Sequence, residues 1–471
     1  MEEIRTDICV IGAGSGGLSV AAGAVQMGAR VVLLEGHRMG GDCLNYGCVP
    51  SKALLAAGKA VQARRHAAFG LPALEPAPDH AAALAHVRAT IAAIEPHDSV
   101  ERFQGLGVRV IQDYGRFTGP ETVEAGAHRI RARRFVIATG SVPALPPVPG
   151  LTDVPYLTNE TIFDVPKLPG HLLILGGGPI GMEMAQAHRR LGARVTVLEG
   201  ARALGREDPE AAALLLEKLR AEGVEVIEGA MVEQVGGRAG AIEVRVTGGT
   251  VFLGTHLLVA TGRKPALERL NLDAAGVRHG PAGVTVDDRL RTSNRRVLAI
   301  GDAAGQGQFT HLAGYHAGVI IRSMLFGLPA RARADHIPRV TYTEPELAQI
   351  GLTEAEARRK HGKAAEVIRL GFDANDRALA EARTEGFIKL MACKGRAVGV
   401  TIAGPGAGEM VAPWALMIAN RQKLSALAGT VLPYPTQAEL SKRAAGAYFS
   451  PRLFGNAWVK RIVRAVQRFL P

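Results

Sequence analysis

The amino-acid sequence predicts an α/β protein: two Rossmann-like dinucleotide-binding domains and a third, C-terminal α+β domain. Three observations carry this expectation. A strand, glycine turn, helix and strand recur in the same order from Asp7 and from His171. Two shorter strand-to-glycine turns echo the pattern, at Ala138-Thr139-Gly140 and Ala260-Thr261-Gly262. From about His336 the glycine fingerprints stop, and TYTEPELAQIGLTEAEARRK opens a stretch of mixed strands and helices.

The first copy, DICVIGAGSGGLSVAAGAVQMGARVVLLEG, places Gly12, Gly14 and Gly17 between an apolar strand and a helix and ends at Glu35. The second, HLLILGGGPIGMEMAQAHRRLGARVTVLEG, does the same with Gly176, Gly178, Gly181 and Glu199. Glycines at this spacing permit a tight turn and close approach of a pyrophosphate, which the helix N-terminus then faces. The acid accepts hydrogen bonds from a ribose. One G-x-G-x-x-G is a weak signal, but two copies in strand-turn-helix-strand context, each with its acid, point to two bound dinucleotides. Thr139 with Gly140, and Gly262, close the two units after buried strands. VLAIGDAAG then sets Gly301 and Asp302 at the end of a further strand, within reach of a cofactor hydroxyl. The proline-rich SVPALPPVPG reads as a hinge between the units.

Composition narrows the class. A chain of 471 residues with 47% hydrophobic content has room for two or three domains with proper cores. Its four cysteines do not suit a disulfide-stapled secreted fold and suggest a reducing compartment. The acidic start MEEIRTD leads straight into the first fingerprint, so no signal peptide is expected, and no apolar run reaches the roughly 18 residues of a membrane span. A cytoplasmic protein is the expectation. The net charge of +12 suits nucleic acid, anionic lipid or phosphorylated cofactors equally and decides nothing alone.

GDCLNYGCVPSK, residues 41–52, holds Cys43 and Cys48 beside Lys52. In a reducing compartment such a pair is redox-active or metal-binding. No second pair or cysteine–histidine cluster accompanies it, which disfavours zinc, and no metal site is expected. The order of fingerprint, GDCLNYGCVPSK, GGGPIGMEMA, ATGRKP, AIGDAA and YPTQAE resembles the class I pyridine nucleotide-disulfide oxidoreductases. Glutathione reductase, dihydrolipoamide dehydrogenase and mercuric reductase belong to that family. The resemblance implies FAD on the first unit and NAD(P)H on the second. It implies a redox-active Cys43–Cys48 disulfide, with Cys48 against the flavin and Cys43 toward substrate, and Lys52 paired with Glu183 beside the flavin. It also implies a homodimer. The corresponding boundaries are 1–149 and 266–335 for the FAD-binding domain, 150–265 for the NAD(P)-binding domain, 336–450 for the dimerisation domain and 451–471 for a basic tail. Cys9 and Cys393 are expected to be inert. Glu199 favours NADH by repelling a 2′-phosphate, although Arg202 and Arg206 lie close enough in sequence to offer that phosphate a partner.

The expected activity is transfer of electrons from NAD(P)H through FAD and the disulfide to a small acceptor: a disulfide, a metal ion or another small molecule. The acceptor turns on LPYPTQAEL. Thiol-reducing members of the family carry a proton-shuttling histidine there, oriented by a glutamate five residues on and reaching the site from the other subunit. This chain has Tyr434, keeps Glu439, and has no histidine after His361. Imidazole titrates near about 6.5 and phenol near about 10, so lipoamide or glutathione chemistry should be poor, and dihydrolipoamide dehydrogenase proper stands as an alternative. Mercuric reductases share the tyrosine. They also use a C-terminal cysteine pair and often an N-terminal metal-binding domain, neither of which this sequence shows, so efficient Hg(II) reduction is not expected. An alternative of another class is a membrane-attached flavoprotein redox sensor with little turnover.

The tail, NAWVKRIVRAVQRFLP, places Trp458, Val459, Ile462, Val463, Val466, Phe469 and Leu470 on one helical face and Lys460, Arg461, Arg464 and Arg468 on the other. It fits a helix lying on an anionic membrane surface, which would make the protein peripheral on the inner face, or a helix docked on its own dimer. No nucleic-acid partner is expected.

Overall fold

The computed structural model describes residues 1–470. The chain forms two compact units: Met1–Ala201 with Gly223–Ala334, and Arg202–Glu222 with the chain from Asp335 onward.

The first unit holds two parallel sheets. In one, Arg109–Ile111, Val31–Leu34, Glu2–Ile11, His128–Ile137 and Val297–Ala299 lie side by side in that order, all parallel. A hairpin, Arg116–Gly119 and Thr122–Ala125, extends the sheet along the first half of His128–Ile137. The late strand Val297–Ala299 pairs with the second half of the same strand, Phe135–Ile137, which delivers Gly301 and Asp302 to the first glycine turn. The four-residue run VVLL is buried throughout, as a parallel strand covered on both faces must be.

The other sheet runs Val224–Glu228, Arg194–Glu199, His171–Leu175, His256–Val259, again all parallel. A three-stranded antiparallel sheet, Val232–Arg238, Ala241–Val246 and Val251–Gly254, accompanies it. The α/β expectation, two doubled βαβ units, is met. The proline-rich crossing is more ordered than a hinge: Ser141–Pro143 pairs antiparallel with the returning Arg263–Pro265, so both connections form one short ribbon.

The second unit is an antiparallel sheet in the order Arg339–Thr341, Glu346–Gly351, Arg396–Gly404, Phe387–Cys393, Ala365–Gly371. Helices pack on it around buried Trp414, whose indole donates to Ser441 Oγ at 3.1 Å. One segment groups differently from the sequence boundaries. The helix Pro209–Ala221, within 150–265, belongs to this second unit. Its N-cap explains why: Asp208 caps Glu210 and Ala211 and also accepts from Lys389 Nζ at 3.0 Å. Lys389, 7% exposed, reaches Glu210 at 2.8 Å and Glu354 at 3.3 Å as well. A buried ammonium with three carboxylates around it is satisfied as a set and costly to break.

Candidate functional site

Both glycine turns are built alike. Gly12 has φ +105° and Gly176 +108°, and a Cβ on either would lie 2.4 Å from the carbonyl oxygen of Ala138 or Ala260. A Cβ on Gly17 or Gly181 would strike the oxygen of Gly12 or Gly176, at 1.9 and 2.1 Å. The middle glycines differ: around Gly178 a Cβ would meet nothing within 4 Å, and around Gly14 only Gly41 Cα at 4.0 Å. That open space lies at the N-termini of the helices Ser15–Gln26 and Pro179–Arg190, where a pyrophosphate fits. Glu35 accepts from the Ala13 and His37 amides at 2.7 and 2.8 Å; Glu199 accepts from Gly177 and Ala201 at 2.7 and 2.9 Å. An ionised carboxylate accepts about four hydrogen bonds, so each acid retains capacity for a ribose. Thr139 Oγ1 is buried with no hydrogen-bond partner, an orphan at the first turn, whereas Thr261 Oγ1 donates to Ala144 O at 2.9 Å. Gly140 and Gly262 take positive φ. The residues fit two dinucleotides.

The cysteines flank a helix start. Cys43 lies in the short helix Gly41–Asn45, and Cys48 opens the 18-residue helix Cys48–Arg65. Cys48 is exposed and Cys43 half-buried. The Cys48 thiol is lowered to about 6, by the hydrogen bond from Cys43, by Thr310 Oγ1 at 3.4 Å and by the charge of Lys52, against burial and Asp42. Cys43 is pushed up, chiefly because its proton bonds Cys48 and because it is buried. Reduced, the pair therefore holds its proton on Cys43 and its negative charge on Cys48. Cys9 sits in a buried strand with its thiol pushed up by burial, and Cys393 is half-buried at a strand end.

One turn along the same helix, Lys52 Nζ lies 2.8 Å from Glu183 Oε2. Glu183 is buried on Pro179–Arg190, the helix of the second glycine turn, so the pair joins the cysteine helix to the second nucleotide unit. Gly58 lets the helices approach: a Cβ there would already lie 3.3 Å from Arg190 Cβ.

Several residues here escaped the sequence reading. Arg263 donates to Ser141 Oγ, Ser141 O and Asp42 Oδ1, each at 2.8 Å, and Asn159 donates to the same Asp42 oxygen at 2.9 Å. Ser141 in turn donates to Asp302 Oδ2 at 2.5 Å, and burial raises the Asp302 pKa. Gly301 N donates to His316 Nδ1 at 3.2 Å, so this buried imidazole is an acceptor, and burial lowers its pKa to about 4. A signal for Arg263 existed: it and Ser141 follow the glycines of the two A-T-G echoes, and these equivalent positions meet.

In the second unit Tyr434 is 70% exposed, and its hydroxyl donates to Asp376 Oδ2 at 2.8 Å. The carboxylate of Asp376 raises the phenol's pKa, with Glu439 the weakest contributor. Glu439 keeps the spacing of the glutamate that orients the histidine of thiol-reducing members. The structure gives the bond at position 434 to Asp376, because Asn375 and Thr436 hold the two segments together through Nδ2 to O at 3.0 Å. Arg202 and Arg206 are exposed; the Arg206 carbonyl accepts from Arg339 at 3.1 Å.

The model for "pyridine nucleotide-disulphide oxidoreductase" matches residues 6–317, and the dimerisation domain of the same proteins matches 337–445. The chain belongs to the pyridine nucleotide-disulphide oxidoreductase family. Mercuric reductase of Acidithiobacillus ferrooxidans is 36% identical over 456 residues, covering 94% of this chain and 82% of the relative. That of Streptomyces lividans is 34% identical over 457 residues, covering 94% and 96%. Among solved structures, the Cu(II) complex of the HOCl-induced flavoprotein disulfide reductase RclA from Escherichia coli superposes with TM-score 0.83 at 27% identity, covering 93% of this chain and 99% of that one. LpdA from Mycobacterium tuberculosis gives 0.86 at 26%, covering 94% and 99%. Members of this oxidoreductase family are flavoproteins with FAD, an NAD(P)H substrate and a disulfide redox centre, and the glycine turns and the Cys43–Cys48 pair fit that description.

Proposed function

We propose that this oxidoreductase acts as a homodimer that takes electrons from NAD(P)H, with NADH favoured, and delivers them through Cys43 and Cys48 to a thiophilic metal ion. Bound FAD supplies the acceptance of hydride from the nicotinamide and the passage of two electrons to the disulfide. The rest falls to the protein. Gly14 and Glu35 would hold the first dinucleotide, with Thr139, Gly140, Gly301 and Asp302 lining it, and Gly178, Glu199 and Gly262 would hold the second. Cys48, at a helix N-terminus with Thr310 and Lys52 near it, holds the negative charge left when two electrons and one proton open the disulfide. Glu183 keeps Lys52 in place.

The observation that carries the choice of acceptor is Tyr434. A disulfide acceptor requires a base that removes the Cys43 proton before attack, and a phenol whose proton Asp376 holds is no such base at neutral pH. A thiophilic cation displaces a thiol proton as it binds and needs no base. As two electrons pass to one Hg(II), or one each to two Cu(II), the S–S bond re-forms and the Cys43 proton leaves to water. The kinship with mercuric reductases and with the RclA that binds Cu(II) supports the same reading, with Hg(II) itself expected to be a slower substrate than for mercuric reductases because no cysteine follows Cys393. Oxidation of NADH and NADPH measured against Hg(II), Cu(II), lipoamide and glutathione disulfide tests it. Metal-dependent kcat/KM should exceed that for either disulfide by roughly the 10²- to 10⁴-fold a missing general base costs. Faster turnover with a disulfide would overturn it.

A further inference from the structure

The last helix lies beyond the family match, which ends at residue 445, and none of its residues is buried. Ala457–Phe469 begins at Asn456, whose side chain accepts from Trp458 N at 2.9 Å. The short helix Ser450–Phe454 before it is tied to the body: Arg452 pairs with Glu366 at 2.6 Å and lies over the Tyr448 ring. The chain is therefore anchored up to Arg452 and free of the second unit's core afterwards.

On a helical projection of about 100° per residue, Trp458, Val459, Ile462, Val463, Val466 and Phe469 share one arc of under half a turn. Lys460, Arg461, Arg464 and Arg468 fill the other side, with no acid between Asn456 and Leu470. Trp458 is 69% exposed and Phe469 81%. At 13 residues the helix is about 20 Å long, short of the roughly 30 Å hydrocarbon layer, and among the described residues no helix is long and apolar enough to cross a membrane.

We propose that this helix lies in the interface of an anionic lipid bilayer, with the arc from Trp458 to Phe469 among the acyl chains and the four cations on the headgroup phosphates. Charge decides between this and a second copy of the chain. A partner copy carries the same +12 and the same four cations, so two apposed tail helices would bring eight positive charges together with no acid to offset them. An anionic surface attracts all four at once, and an apolar arc flanked by long basic side chains matches the depth profile of lipid, apolar below and phosphate above.

The test uses the FAD-loaded full-length protein and sedimentation with vesicles of phosphatidylcholine alone or mixed with phosphatidylglycerol. The intact chain should pellet with the anionic vesicles, remain in solution with the zwitterionic ones, and be released by salt. Replacing two cations, R461Q with R464Q, should lower the partition coefficient roughly 30-fold, at about 1 kcal/mol per charge near the surface. Ile462→Asp with Val466→Asp should abolish binding while flavin content and sedimentation coefficient stay unchanged, so a folding failure would be visible. Equal pelleting of the intact chain and a chain ending at Ser450 would overturn the proposal, as would equal binding to both vesicle types. A fall from dimer to monomer on truncation, without vesicle binding by the intact chain, would overturn it in favour of docking between copies.

Discussion

The Cys43–Cys48 pair shares one proton, and which sulfur keeps it decides the chemistry. With Cys48 lowered to about 6, alkylation of the reduced protein at Cys48 should follow a midpoint near pH 6, and Thr310→Val, removing one donor, should move that midpoint upward. A midpoint near the ordinary thiol value of about 8.5 in the native protein would sink the assignment. Tyr434 offers a second check. Tyr434→His would place an imidazole against Asp376, a carboxylate partner that fixes a tautomer and raises the imidazole's basicity. Turnover with lipoamide should rise by up to about 10²-fold, most steeply between pH 6 and 8, while reduction of the flavin by NADH stays unchanged. Asp376→Asn in that background should remove much of the gain. If Glu439→Gln removes it instead, the orienting residue is misassigned. At this scale the sequence showed residues that local spacing marks: the glycines, Glu35, Glu199, the cysteines and Lys52. Thr310 and Asp376 carry no such mark, and Arg263 only its place after the second A-T-G echo. Each meets its partner across a long stretch of chain, and only the folded packing creates the contact.

Elements were legible where a period of hydrophobicity coincided with a turn signal. VVLL, HLLIL and HLLV, each bounded by glycine, became the buried parallel strands their composition required. The helix Pro209–Ala221 was placed by chain order, which is silent about the Asp208–Lys389 contact that draws it to the second unit. The Arg194–Glu199 strand carries the specificity prediction. Glu199→Ala removes the carboxylate proposed to face a ribose and also the acceptor for Gly177 N and Ala201 N. The ratio of kcat/KM for NADH over NADPH should fall several-fold, with about 1 kcal/mol of stability lost from the turn. A ratio that stays constant while stability drops would leave Glu199 as a brace of the turn only. Buried His188, its pKa lowered to about 4 mainly by desolvation, makes acid stability a property of the neighbouring helix. A group depressed in the folded state binds protons first when unfolded. The contribution of His188 to stability should therefore be intact above about pH 6.5 and fall by about 1.4 kcal/mol per unit between 6.5 and 4. His188→Gln should remove that share of the acid slope in urea melts, leaving the share of His316, whose pKa burial lowers to the same value.

For the whole molecule, Cys43 belongs to the first unit and Tyr434 to the second. In the family arrangement a site draws its cysteines from one chain and its C-terminal element from the other, and the match of residues 337–445 to the dimerisation domain makes this chain a candidate for the same design. The consequence is countable. Take a heterodimer of one chain with Cys48→Ser and one with Tyr434→Ala, separated by two affinity tags. If each site crosses the subunit boundary, one site combines both lesions and the other combines intact cysteines with an intact Tyr434. If, in addition, Tyr434 offers the ion an oxygen ligand beside the partner chain's cysteines, each parent homodimer should be inactive in metal-ion turnover, yet the heterodimer should recover about half of the wild-type rate, one working site of two, as a two-fold symmetric assembly demands. If instead each chain completes its own site, both sites of the heterodimer carry one lesion and no activity returns. Flavin reduction by NADH needs neither Tyr434 nor an open disulfide and should proceed at the wild-type rate in all three species. A heterodimer that stays inactive although its flavin is reduced normally would confine the site to one chain, and the role given to Tyr434 at the partner's Cys43 would have to be withdrawn.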